Sequence, residues 1–264
     1  MAYHEGELAV QRAAGVENLA SRVARIIGPE IPPIAAEFLA AQPFVIVATD
    51  DGEHVWASLV PGHARTLDRT TILVDDGTSI AAFTEPSAAG AVGLLAIEFA
   101  TKRRMRVNGR GHREGDALVI ETSEVYSNCP QYITPRRVTF PHTEIVAQRA
   151  QLSVEDVELI RKADTFFIAS THPRSGADAS HRGGAPGFVT VESDTRLSWP
   201  DYSGNNMFNT LGNLTVDPRC GLLFVDFTTG ATLQLTGKAT VAEDRRVTVE
   251  IAKAVVSAPR AKTP

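Results

Sequence analysis

The sequence predicts a mainly β protein with α-helical additions, built as two tandem copies of one small barrel-like unit behind N-terminal helices. Three observations predict it. GLLAIEFATKRRMRVNGRG at 93–111 aligns without a gap on GLLFVDFTTGATLQLTGKA at 221–239. Gly93, Leu94, Leu95, Phe99, Thr101 and Gly109 recur as Gly221, Leu222, Leu223, Phe227, Thr229 and Gly237. Chance gives roughly one or two identities over such a window, so the match points to duplication. A second match lies upstream in the same order, PFVIVAT at 43–49 against FFIAST at 166–171. Third, both halves break into short strand-like runs with sharp turns. That pattern favours a closed or partly closed barrel, with sandwich sheets as the alternative. Most connections are too short for the crossover helices of a parallel sheet.

In chain order, Tyr3–Ile27 has helical periodicity, through Leu8, Val10, Ala14, Leu19, Val23 and Ile26, until Gly28-Pro29 breaks it. A short helix at about 34–41 precedes the first strand. Strand runs follow at 44–49, 55–60, 71–74, 92–99, 105–111 and 117–125. Asp50-Asp51-Gly52 is a strong hairpin turn between the first two. An Ala-rich stretch at 78–90, cut by Pro86, reads as a short interrupted helix. The proline-rich connection at 127–143 is irregular. Ser153 and Asp156 form a capping pair for the next helix, whose stripe is Val154, Val157 and Ile160. Strand runs of the second unit lie at 166–171, 188–191, 196–199, 221–227 and 232–241. Phe208, Leu211 and Leu214 mark an inserted helix closed by Asp217-Pro218. The expected organisation is a helical extension at 1–33, a first unit at 34–150 and a second unit at 151–264.

Composition restricts the partners. A net charge of −5 over 264 residues argues against a nucleic-acid or anionic-membrane partner, since both want a basic face. No apolar run approaches the roughly 18 residues of a spanning helix. Cys129 and Cys220 form no disulfide framework or metal-ligand spacing, and the histidines show no metal spacing either, so no metal is expected. A reduced, cytoplasmic protein is the expectation.

The two copies differ most at 172–189 and 199–209. HPRSGADASHRGGAPGFV replaces a plain hairpin of the first unit and offers donors and close backbone approach. WPDYSGNNMFN runs from a strand end into a helix start, where exposed N–H groups bind phosphate. Arg182 supplies a bidentate anion contact. The second unit is therefore expected to supply most of one binding site. No Ser/His/Asp motif or nucleophile elbow is present, and no residue is assigned a catalytic role.

HPRSGADASHRGGAPGFV, then LSWPDYSGNNMFNTLGNLTVDPRCGLLFVDF and LQLTGKA, resemble the pyridoxamine 5′-phosphate oxidase-like family. SEVYSNCPQYITPR at 123–136 extends the likeness. The resemblance implies the FMN-binding type of split β-barrel, in a branch with two barrel units in one chain, paired as a pseudo-dimer; pairing of two whole chains into a homodimer is equally open. It implies FMN between the barrels, held by Ser180, His181, Arg182, Asp201, Tyr202, Ser203, Asn205 and Asn206, with Asn209 and Gln234 as further contacts. It implies a flavin-dependent oxidoreductase acting on a small molecule, with NADH or NADPH as candidate donor. A heme- or deazaflavin-binding barrel and a flavin-binding module without turnover are the alternatives. The chain departs from the oxidase itself at Ser203-Gly204-Asn205-Asn206, where that enzyme has Lys and Ser/Arg, and in a C-terminal segment without Trp.

Overall fold

The computed structural model describes residues 3–75, 90–127, 129–204 and 206–260. The N-terminal periodic stretch forms α1 (Glu5–Ala13) and α2 (Glu17–Val23), followed by a 3-10 turn and α3 (Pro33–Ala40). The break between α1 and α2 is Gly15 at φ +67°, a conformation that glycine adopts without strain. The first sheet uses β1 (Phe44–Asp50), β2 (Val55–Pro61), β3 (Ala64–Thr66), β4 (Thr71–Val74), β5 (Gly90–Glu98), β6 (Arg103–Glu114) and β7 (Ala117–Ser127). The second follows β8 (Thr143–Arg149) and α4 (Val154–Lys162). It uses β9 (Thr165–His172), β10 (Gly176–Gly183), β11 (Thr190–Ser193), β12 (Arg196–Pro200), α5 (Asn209–Val216), β13 (Arg219–Val225), β14 (Thr232–Val241) and β15 (Arg246–Pro259). The helix expected at 78–90 lies almost wholly outside the described residues.

Both sheets have one topology. The first runs β2-β1-β5-β6-β7-β4-β3 and the second β10-β9-β13-β14-β15-β12-β11, all antiparallel. Even the irregularities repeat. The β6–β7 register shifts between Asn108 and Gly109, and the β14–β15 register shifts between Thr236 and Gly237, its aligned copy. This is the duplicated, mainly β architecture that the repeat predicts.

Each sheet wraps its own core, through Val45, Val47, Leu94 and Val107 in the first and Phe166, Ile168, Leu222 and Leu235 in the second. A third core joins them: Phe44, Ile46 and Leu95 meet Phe167, Ala179 and Leu223. Strands β1 and β9 are therefore covered on both faces, which explains their unbroken apolar runs. At the junction β5 crosses β10 and β13 crosses β2. A Cβ on Gly93 would stand 2.7 Å from the backbone of Asp178 and Ala179. One on Gly221 would stand 2.6 Å from the Val55 carbonyl. Gly93 and its repeat Gly221 are thus points where one unit touches the other, whereas Gly109 and Gly237 sit against Glu121 and Glu250 of the neighbouring strand in their own sheets.

One expectation changes, and one strand is added. The segment at 172–189, read as the replacement of a plain hairpin, contains the matching hairpin strand: β10 pairs with β9 from Gly176 to Gly183. Its small residues serve close packing, since Ala177 and Ala179 lie in the junction core. Thr143–Arg149, which follows the irregular connection, is a strand, β8, paired with β15. The capping pair of α4 forms as a capping box between Ser153 and Asp156.

Candidate functional site

A cavity of about 90 Å³ opens where the end of β10 meets β6 of the other unit. Strand β10 brings Ser180, His181 and Arg182. The connection from β12 to α5 brings Asp201, Tyr202, Ser203 and Asn206, and the first turn of α5 brings Asn209. The structure thus gathers eight of the ten residues anticipated from sequence. Asn205 lies outside the described residues. Gln234 is elsewhere: its amide donates to the Ala57 carbonyl (2.9 Å) and Ser58 Oγ (3.1 Å), and it lines a separate cavity with Trp56 and Lys253.

Arg104 and Arg106 of β6 take the place that sequence reasoning gave to Gln234. The signal was the RRMR run, since alternate residues of a strand share a face. Arg106, 3% exposed, pairs with Asp178 and sits over the Tyr126 ring. Arg104 donates to His181 Nδ1 (3.2 Å) and to the Cys129 carbonyl. Burial, reinforced by Arg106 and Arg182, pulls the Arg104 guanidinium down to about 10. Arg182 donates to Ser180 Oγ (2.8 Å) and the His181 carbonyl (3.2 Å). No carboxylate reaches ion-pair distance of it among the described residues. Burial lowers its pKa, against an opposing pull from Asp201. Burial also raises Asp201, opposed by Arg182 and Arg245.

His181 is buried, with Phe99 and Phe167 edge-on to its ring. Burial holds its pKa well below the ordinary value, and Arg104, Arg182 and Arg136 push the same way. A guanidinium has no acceptor, so His181 Nδ1 accepts from Arg104 and the ring carries its proton on Nε2. That Nε2–H has no partner, nor have Arg104 Nε, Arg106 Nε and Trp199 Nε1. The buried orphans around this cavity are all donors.

The backbone adds more donors. Asn206 and Phe208 both adopt left-handed φ, +62° and +59°. Such strain in non-glycine residues collects at ligand sites. Phe208 caps α5 without a side-chain hydrogen bond, and the first turn of the helix, Asn209 to Leu211, lines the cavity. At the rim Tyr202 stacks on Tyr132 (5.2 Å) and Phe188 (6.5 Å). Tyr132 belongs to the segment at 123–136, which seats on Gly183. Any Cβ there would meet the Tyr132 carbonyl at 1.9 Å.

His4, Glu5 and His172 also cluster, outside this cavity. His4 Nδ1 accepts from the Gly6 N–H, and His172 Nδ1 accepts from the Arg174 and Ser175 N–H groups. Each ring then bears its proton on Nε2, the nitrogen turned toward the cluster. A ligand nitrogen must be bare, so this arrangement clasps α1 to the second unit rather than presenting lone pairs to a metal.

Residues 152–262 match the family described as pyridoxamine 5′-phosphate oxidase. The second unit thus carries the likeness to the pyridoxamine 5′-phosphate oxidase family, and the match leaves the first unit outside it. The match to this oxidase-like family covers every second-unit residue of the cavity. No curated protein matches the chain. Among solved structures, HupZ of Group A Streptococcus is 10% identical over 39% of this chain and 98% of its own, with a TM-score of 0.33. A candidate pyridoxamine 5′-phosphate oxidase of Lactobacillus delbrueckii is 13% identical over 42% of this chain and 97% of its own, at 0.34. An F420 reductase is 10% identical over 39% and 92%, at 0.26. At these scores the likenesses carry no argument about this chain. No described helix is long and apolar enough to cross a membrane.

Proposed function

We propose that the cavity binds FMN through its phosphate and that the protein is a flavin-dependent oxidoreductase acting on a small molecule. The observation that carries this reading is the surplus of donors: three guanidiniums meet at one cavity whose buried orphan atoms are all N–H groups. A dianionic phosphate offers the charge and acceptors that such a site lacks. Arg182 and Arg104 would hold it, with Ser203, Asn206 and the first turn of α5. A cavity of about 90 Å³ suits a phosphate rather than three fused rings. The ring system would lie outward, toward Tyr132, Tyr202 and Phe188. Bound FMN supplies hydride or electron transfer at its isoalloxazine. The protein's part is to anchor, to orient and, through neutral His181, to offer a hydrogen-bond donor without charge. NADH or NADPH is the proposed donor, and the cytoplasm the proposed compartment, with Cys129 and Cys220 both as thiols.

The visible spectrum of the purified protein, followed by the mass of the released chromophore, tests this. One FMN per chain is expected. Two per chain would defeat the asymmetry between the units. A colourless protein that takes up no added FMN would remove the reading.

A further inference from the structure

Behind Arg106 and Asn209, on the side away from the anion pocket, lies a second cavity of about 330 Å³ under α1. Its polar wall inverts the first. Glu7 of α1, Glu124 of β7 and Asp178 of β10 surround it, and the buried cation beside them, Arg106, is already paired with Asp178. Glu5 and Arg174 at the mouth neutralise each other at 2.7 Å. Neither Glu7 nor Glu124 has a Lys or Arg within ion-pair distance among the described residues. A separate observation points to a ligand. Asn108, 6% exposed, lines the cavity, and its carbonyl Oδ1 has no donor. Its orientation is fixed, because Nδ2 donates to Glu124 Oε2 (2.9 Å) and a flip would set two acceptors together. The orphan of this cavity is therefore an acceptor, where those of the anion pocket are donors.

We propose that this cavity binds a small organic cation with N–H donors, a primary ammonium or a guanidinium group. Such a group meets the carboxylates, which outnumber the one buried cation, and the orphan amide oxygen together. A bare metal ion fits less well. Both Glu7 oxygens already accept N–H groups, from His4 (2.9 Å) and Asn209 Nδ2 (2.6 Å). The space also far exceeds a coordination sphere whose metal–oxygen distances are about 2.0–2.6 Å. The inference stands apart from the flavin reading: the two cavities share Asn209, but Glu7, Glu124 and Asn108 line only the second, and its charge is opposite.

The test is a saturation-transfer NMR titration of the purified full chain with methylguanidinium and with propylammonium, measuring flavin absorbance in the same samples. Saturable binding of at least one is expected, with tetramethylammonium, which has charge but no N–H, failing to compete. Glu124→Gln and Glu7→Gln should each weaken binding roughly tenfold or more, and Glu124→Gln should leave flavin content unchanged. Thermal melts confirm that each variant is folded; Asn108→Ser serves if one is not, and should also weaken binding. The proposal falls if neither probe saturates by about 10 mM, if folded variants bind like wild type, or if tetramethylammonium or Mg²⁺ displaces the probe. Loss of flavin with cation binding intact would break only the flavin reading.

Discussion

The anion pocket and its duplicated counterpart show what the two copies have each become. Leu95 pairs with Ile46, which pairs with Leu59; its repeat Leu223 pairs with Phe167, which pairs with His181. In this register Ser180 corresponds to Ser58, His181 to Leu59 and Arg182 to Val60. Across the junction Arg104 corresponds to Thr232 and Arg106 to Gln234. Every cation of the anion pocket is thus a neutral residue in its counterpart, while the backbone frame is retained. The counterpart is larger, about 440 Å³, and lined by Trp56, Gln234 and Lys253. The cationic character of this pocket resides in a few side chains on two strands from different units, and the two copies differ in those side chains.

The comparison breaks most completely if the junction is lost, since each pocket takes residues from both units. Gly93→Val and Gly221→Val place carbon against backbone at 2.6–2.7 Å, where no rotamer relieves the clash. Each should cost several kcal/mol, more than ordinary overpacking of about 1–3 kcal/mol. A thermal melt matching wild type for either variant would mean that the units can separate without harm.

Arg182→Ala removes a charge from one pocket, and Val60→Ala alters the matching position of the first unit, which lies in that unit's core. Losing a charge-assisted contact of about 1.5–3 kcal/mol should weaken FMN retention roughly 10- to 100-fold. Val60→Ala should leave the flavin content of the folded protein unchanged. Equal flavin in both variants, read at 450 nm, would sink the phosphate assignment.

Glu7, beside the second cavity, gives the molecule a pH signature. Burial, with Glu124 nearby, raises its carboxyl from 4.5 to about 7. The folded state then holds a proton that the unfolded chain has released, so stability is full below about pH 4.5 and falls as pH rises to about 7. The effect is on the order of 2 kcal/mol. Urea melts across this window should show the decline, and Glu7→Gln should flatten it. An unchanged slope in that variant would assign the decline to Glu124, which burial also raises.

Much of this was legible in the sequence. The repeat pointed to the shared topology because its glycines sit where no Cβ fits, Gly93 and Gly221 against the other unit and Gly109 and Gly237 against the next strand of their own sheets. The cavity residues of β10 and the α5 entrance were legible because their side chains differ from the copy's, His181 and Arg182 standing where the first unit has Leu59 and Val60. Arg104 and Arg106 were not, although they lie inside the aligned repeat. The alignment compares a residue with its copy, whereas the pocket joins β6 of one unit to β10 of the other. Only the junction reveals which strand faces which. The strand character of β10 was hidden for a related reason: its Gly, Ser and Ala residues resemble a loop until a neighbouring sheet explains their size.

Arg104→Ala tests that cross-unit step with a smaller effect. Arg104 is partly tied to His181 and Cys129, so its loss should weaken FMN only about tenfold. Gln234→Ala, at the position corresponding to Arg106, should change flavin content not at all, because its amide serves Ala57 and Ser58. It should cost about 1 kcal/mol of stability for the lost hydrogen bonds. If Gln234→Ala releases flavin while Arg104→Ala retains it, the ligand occupies the Trp56 cavity instead. The assignment of the two pockets would then have to be exchanged.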